Sequence, residues 1–314
     1  MQKTLLGKTE LSVSQLGFGA APIGFLETSQ GQVNKLVGEL LDAGVNLIDT
    51  AAMYRGAEQA VGSALQSTLK GHRDDVILVS KCGTKEDDLP GDAWSAQLIH
   101  ASIDRSLKRL GTDHLDVIML HSCPQAVLEQ GDALQAVLDA QRKGKARHVG
   151  YSGDNEAAAY AAQLDAIEVI EMSINICDQK NVEVVLPHCL THDKGVIAKR
   201  PIANAAWNPL NKQRGMYQEY AKTYHHRLKK MKISPHELGY FGHTEIEWPE
   251  IALKFTLAIP GVHAAIVGTT STVNASANID AVRKNPLRDE AVQKLQEAFR
   301  NAEITSGEPW TGQM

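Results

Sequence analysis

The chain has 314 residues, 43% hydrophobic and 22% charged, with a net charge of −5 and a pI near 6.2. That length suits one α/β barrel of roughly 250 residues with additions, so a single domain over residues 1–314 is expected. The acidic balance gives no attraction for nucleic acid or an anionic membrane, and neither a membrane span of ~20 apolar residues nor a signal-peptide core is present, which predicts a cytoplasmic protein with a small-molecule partner.

In chain order, eight apolar, β-branched runs read as strands: VSQLGFG (13–19), VNLID (45–49), DVILVS (75–80), LDVIML (115–120), ARHVGYS (146–152), IEVIEMS (167–173), GVIAKR (195–200) and AAIVGT (264–269). Between them fall amphipathic stretches with helical spacing, among them 32–44, 96–111, 133–145 and 248–259, several closing on a glycine such as Gly44, Gly111 or Gly144. Strands apolar on both faces, alternating with helices, imply a parallel sheet wrapped by helices. Eight repeats without a reversal, and no G-x-G-x-x-G after the first strand, favour a closed (β/α)8 TIM barrel over an open sheet. The polar stretch 211–247 reads as an insertion with one helix. The four cysteines, Cys82, Cys123, Cys177 and Cys189, lie far apart and form no C-x-x-C spacing, so they read as reduced, buried thiols.

In such a barrel the chemistry lies at the C-terminal ends of the strands. The residues there are polar on nearly every strand: Asp49, Lys81, His121, Ser152, Glu171, Lys199 with Arg200, and Gly268 to Ser271, with Tyr54 in the loop after Asp49. A buried carboxylate needs a partner. Lys81 is the candidate for Asp49, and an ammonium near the phenol of Tyr54 would lower its pKa toward a useful range for acid catalysis.

The stretches LGFGAAPIG (16–24), GVNLIDTAAMYRGAEQAVGSAL (44–65), VILVSKCG (76–83), SLKRLGTDHLDVIMLHS (106–122), RKGKARHVGYSG (142–153) and AIVGTTSTVNASANIDAV (265–282) resemble the aldo-keto reductase family over almost the whole chain. The resemblance implies a catalytic tetrad of Asp49, Tyr54, Lys81 and His121, with Tyr54 as general acid in the NAD(P)H-dependent reduction of an aldehyde or ketone. It places the nicotinamide beside Gly19, Ala20, Asp49 and Ser152. Gly153 and Glu171 stand where the family has an asparagine and a glutamine, and an ionised Glu171 can accept from the carboxamide but not donate to it. Lys199, Arg200, Pro201 and Ile202 follow, with Arg200 expected toward the pyrophosphate. Gly268, Thr269, Thr270, Ser271, Asn274 and Asn278 match the segment that binds the adenosine phosphate, where Asn274 stands in for a basic residue. NADP is the cofactor expected, with NAD as the alternative.

Two other functions fit the same residues: a nucleotide-sensing regulatory barrel resembling potassium-channel β subunits, and an NAD-dependent sugar or alcohol dehydrogenase with Tyr54 as base. The substrate pocket is expected from loops 21–27, 122–126, 204–220 and 305–314, with Trp207 and Trp310 as aromatic walls. The pair His188 and His192 lacks the glutamate of a metalloprotease motif and is assigned no metal. Arg227, Lys229, Lys230 and Lys232 read as a solvated helix face. Cys82, one position from Lys81, should point away from the barrel mouth.

Overall fold

The computed structural model describes residues 1–69 and 71–313. Two short strands, β1 (Lys3–Leu5) and β2 (Ser12–Ser14), form an antiparallel hairpin. The next eight are β3 (Leu16–Gly19), β4 (Leu47–Asp49), β5 (Ile77–Cys82), β6 (Leu115–His121), β7 (Ala146–Ser152), β8 (Val169–Ser173), β9 (Gly195–Lys199) and β10 (Ala264–Gly268). They pair in parallel in sequence order, and β10 returns to β3 to close the barrel. The fold class read from the sequence is the one observed.

The run 13–19 is two strands rather than one. The chain bends at Gln15, just after Ser14, whose backbone N–H donates to Asn46 Oδ1 at 2.7 Å while Asn46 N–H donates back to Ser14 Oγ at 3.0 Å. This exchange ties the hairpin to the chain entering β4. Leu6, Leu11 and Val13 from the hairpin region pack with Leu47, Ile77, Val79, Val117, Met119, Val169, Ile197 and Ile266, the lower inward-facing side chains of the barrel. The N-terminal end is thus an apolar plug. Gly7 makes it possible: its φ is +56°, and a Cβ there would sit 2.2 Å from the backbone nitrogen of Gly195.

The alternate residues of the same strands face outward, toward the helices. Phe18, Ile48, Leu78, Cys82, Leu120, Tyr151 and Met172 belong to this outer core. Cys82 therefore faces away from the mouth, as its position beside Lys81 requires. All four cysteines are free and buried.

The helices begin and end where local chemistry directs. The helix Ala96–Leu110 is capped by Ser95, whose Oγ accepts from Leu98 N–H, and stops at Gly111, whose φ is +66°. Residues 211–247 hold more than the one helix expected: Tyr217–Tyr220, Lys222–Met231 and the start of Thr244–Ala258. Arg227 is buried, donating to the carbonyls of Cys177 at 3.1 Å and Thr311 at 2.7 Å, so the basic run is not a uniformly solvated face. Among the described residues no helix is long and apolar enough to cross a membrane.

Gly62, inside the helix Ala57–Leu69, gives a sharp test of this packing. A Cβ there would meet the carbonyl oxygens of Arg109 and Leu110 at 2.6 and 2.7 Å. Glycine to alanine inside a helix normally stabilises by about 1 kcal/mol. Gly62→Ala should instead destabilise by about 1 to 3 kcal/mol, read as a lower urea midpoint, because the methyl forces two helices apart.

Candidate active site

The two-residue period of a strand puts the polar residues in place. Asp49 shares a face with Leu47, Lys81 with Val79, His121 with Met119, Glu171 with Val169 and Lys199 with Ile197, and those apolar partners all point into the barrel. Each polar side chain is therefore the top of an inward column. In register, Gly19 lies opposite Asp49, His121 opposite Ser152 and Ser152 opposite Glu171.

The columns open into a cleft of about 710 Å³. Gly19, Asp49, Tyr54, His121, Ser152 and Glu171 line its deep end. Lys199 to Ile202 line the middle, and Gly268 to Ser271 with Asn274 the far end. Lys81 lies just beneath, its side chain fully buried. Ala20, Gly153 and Asn278 are not part of the lining. Ala20 is buried and donates its N–H to Asp49 O at 2.8 Å, Gly153 lies against the ring of Tyr151, and Asn278 is buried in the helix Thr272–Arg283.

Lys81 is the hub. Its ammonium forms an ion pair with Asp49 Oδ1, donates to the carbonyl of Thr50 at 3.0 Å and lies 3.3 Å from Glu171 Oε2. Burial alone would lower the lysine pKa, but the Asp49 and Glu171 carboxylates outweigh it and hold the group charged. Asp49 is pushed well above the usual carboxylate range, first by burial and then by the neighbouring Glu171 charge. The pairing read from the sequence is present, yet a second carboxylate competes for the same ammonium.

Tyr54 reaches the site because its loop is pinned. Thr50 N–H donates to Val79 O and Ala52 N–H to Lys81 O, and Arg109 clamps Ala52 O at 3.2 Å. Arg109 also meets Glu58 Oε2 at 3.4 Å, and Glu58 Oε1 accepts from Ser80 Oγ at 2.8 Å. The phenol ring stands edge-on to His121, with centroids 5.9 Å apart, and Lys81 Nζ lies 5.5 Å from its centroid. Burial pushes the phenol up to about 12, and Lys81 only partly offsets this because the carboxylates act against it. The expected lowering of the Tyr54 pKa is not what this arrangement produces. His121 is held well below the usual imidazole range by burial and by the charges of Lys81, Lys199 and Arg200. It is therefore neutral and retains one N–H to donate.

Lys199 and Arg200 are less free than their sequence position suggests. Lys199 Nζ pairs with the buried Asp154 at 3.0 Å. Arg200 donates to Ser173 Oγ at 2.8 Å, to Gln313 O and to the hydroxyl of Tyr220, and its guanidinium stacks 4.6 Å from the Tyr220 ring centroid. Tyr217 and Tyr220 lie in the loop 204–220 expected at the pocket wall, and both line the cleft, although Trp207 and not these rings is the aromatic wall expected from that loop. Trp207 and Trp310 do not line it. Trp207 stacks on Trp248 at 6.3 Å, and Trp310 packs edge-on to Phe299 at 5.1 Å beneath Arg227. Among the described residues, 305–313 likewise contribute no lining residue, although Gln313 braces Arg200.

The Aldo/keto reductase family model matches residues 15–300 of this chain. The Bacillus subtilis oxidoreductase YqkF is 27% identical, over 94% of this chain and 96% of its own length. The L-galactose dehydrogenase of Arabidopsis thaliana is 26% identical over 88% of this chain and 86% of its own. The holo form of an aldo-keto reductase from Bacillus halodurans superposes with a TM-score of 0.78 at 29% identity, over 95% of this chain and 96% of that one. With its barrel, its cleft and a family match running from the first barrel strand into the last helix, the chain belongs to the aldo/keto reductase family, nicotinamide-dependent oxidoreductases acting on carbonyl and alcohol groups.

Proposed function

We propose that this protein reduces an aldehyde or ketone to the alcohol with NADPH, and more weakly NADH, using Tyr54 as proton donor. The observation that carries this reading is the cluster at the cleft floor, where a phenol stands between a buried ammonium and a neutral imidazole. Tyr54 keeps its proton at neutral pH and can give it to a carbonyl oxygen as negative charge develops there. The N–H of His121 is a second donor to the same oxygen, and two donors fixed in a water-poor site stabilise an oxyanion without reorganising. Lys81 acts through Tyr54, limiting the cost of the phenolate left behind.

The cleft suits a dinucleotide. It runs from the cluster past β9 to the N-terminus of the helix Thr272–Arg283, where Ser271 Oγ accepts from Asn274 N–H at 3.3 Å. Gly19, Ser152 and Glu171 would hold the nicotinamide end, residues 199–202 the centre, and the hydroxyl and backbone donors of Gly268 to Ser271 the adenosine phosphate. When bound, the cofactor supplies the hydride. Burial keeps the Tyr54 phenol protonated at neutral pH, the form that gives up a proton in the reductive direction.

Tyr54→Phe keeps the ring and removes the acid, so turnover should fall about 10² to 10⁴-fold while cofactor Kd, read by fluorescence titration, is retained. A wild-type kcat would remove Tyr54 from the proton-donor role. Lys81→Met leaves two carboxylates buried without a cation. It should abolish turnover and cost roughly 3 to 5 kcal/mol in urea unfolding; stability equal to the wild type would mean that Asp49 and Glu171 do not depend on Lys81.

The third expectation concerns cofactor choice. A guanidinium binds a 2′-phosphate through paired charge-assisted bonds that the amide of Asn274 cannot match. Asn274→Arg should tighten NADPH and leave NADH unchanged, measured as Kd for both at one salt concentration. Equal effects on the two would show that Asn274 does not face the 2′-phosphate.

A further inference from the structure

Two buried carboxylates share one buried ammonium at the cleft floor. Asp49 pairs with Lys81 Nζ, and Glu171 Oε2 lies 3.3 Å from the same nitrogen. Glu171 Oε1 accepts from Ser152 Oγ at 2.9 Å. Its Oε2 has no hydrogen-bond partner among the described residues, and the side chain is 2% exposed while lining the cleft.

Among the described residues, Lys81 is the one cation within ion-pair distance of Asp49 or Glu171. The groups that face Glu171 are Lys81 on β5, Asp49 on β4, Ser152 on β7 and the protonated phenol of Tyr54. Lys199 and Arg200, at the end of β9, are turned onto Asp154 at 3.0 and 3.9 Å. With both carboxylates ionised, the three groups in contact would carry one negative charge in excess, at a cost that their burial imposes. One proton removes that cost. Burial and the Glu171 charge both drive Asp49 to hold it, and a protonated Asp49 can donate to Glu171.

Resting on the reading that the nicotinamide ring binds beside Ser152 and Glu171, we propose that Glu171 couples cofactor charge to a proton. The oxidised ring, one positive charge richer than the reduced ring, binds with release of the proton that Asp49 holds beside the Glu171 charge, and the reduced ring binds without releasing it. Only the O–H bond of the Asp49 carboxyl breaks, its proton passing to solvent. No bond to the cofactor forms and nothing is oxidised or reduced. The cluster goes from neutral to −1 as the ring brings +1, so the pocket stays neutral in either state. A glutamine at position 171 would leave the Asp49–Lys81 pair neutral by itself, with no proton to give up. The affinity for the oxidised cofactor should therefore rise with pH while that for the reduced form does not follow it.

Isothermal titration of the intact protein with NADP+ and with NADPH, each in two buffers of different ionisation enthalpy near pH 7, counts the protons released. The 2′-phosphate is common to both ligands and cancels in the comparison. The expected result is up to one proton more for NADP+ than for NADPH, and a ratio Kd(NADPH)/Kd(NADP+) that grows by up to about tenfold per pH unit, as linkage to one proton requires. In Glu171→Gln the difference in proton count should vanish, and at pH 8 the ratio should fall by about tenfold or more, the size expected for removing one charge near the ring. Equal proton counts for the two forms in the wild type, or an unchanged ratio in the variant, would overturn this inference and leave the reductase reading standing. Failure of both forms to bind the wild type would overturn both. If Glu171→Gln does not fold, the wild-type proton count still decides.

Discussion

The ammonium of Lys81 is the charge around which the upper half of the barrel is arranged. It sits fully buried, between Asp49 and Glu171 from two other strands and the Thr50 carbonyl. An isolated ammonium in that position would lose several kcal/mol of hydration. The surrounding acceptors offset this, and in doing so they fix where every neighbour can stand. Asp49 cannot turn away without stranding Lys81. Glu171 must keep one oxygen for Ser152 and one toward the lysine. Tyr54 then meets a cationic edge on one side and the face of a neutral imidazole on the other.

This polar layer is affordable only because the layers below it are dry. Leu47, Ile77, Val79, Val117, Met119, Val169 and Ile197 fill the barrel under the charges, and the hairpin with Leu6, Leu11 and Val13 seals the bottom. Apolar filling at one end and titratable groups at the other is the division of labour that the barrel fold supports. Water can reach the charges from the cleft side alone, so the pKa shifts of Asp49, Tyr54 and His121 all have burial as their leading cause.

A second polar network supports the cleft wall. Asp154 accepts from Ser173 N–H and Asn181 Nδ2, both at 2.7 Å, and pairs with Lys199. The Lys199 and Arg200 charges hold it below the usual carboxylate range despite its burial. Arg200 has a φ of +58°, and Ala203, Asn204 and Ala205 follow in the left-handed region at 44° to 52°. Non-glycine residues there cost about 1 to 2 kcal/mol each. Arg200 is anchored through Ser173, Tyr220 and Gln313, and Asn204 Nδ2 donates to Tyr220 O at 3.2 Å. These bonds hold the wall in a conformation the local chain would not choose, which is where strain is commonly kept in functional clefts.

Much of this molecule is written in local order along the chain. Alternating β-branched runs and amphipathic helices specify a parallel barrel, because strands apolar on both faces have no other stable home. The two-residue period then sends Asp49, Lys81, His121, Ser152 and Glu171 to one inward face, so the members of the site were legible before any coordinates. What the sequence could not determine was balance and direction. The contest of two carboxylates for one ammonium depends on distances across three strands, and the effect on Tyr54 runs opposite to expectation chiefly because burial, which depends on how completely other segments cover the phenol, outweighs Lys81. The loops 21–27, 122–126 and 204–220 expected at the walls do supply lining residues, but which of their aromatic rings face the cleft was not legible. Trp207 and Trp310 turn into packing while Tyr217 and Tyr220 enter the cleft, since the course of these loops is set by what they dock against. The splitting of residues 13–19 into hairpin and barrel strand follows the same logic, for it hinges on Ser14 and Asn46 meeting 32 residues apart in the chain. Periodicity is a property of neighbours in sequence, whereas charge balance, burial and loop course are properties of neighbours in space.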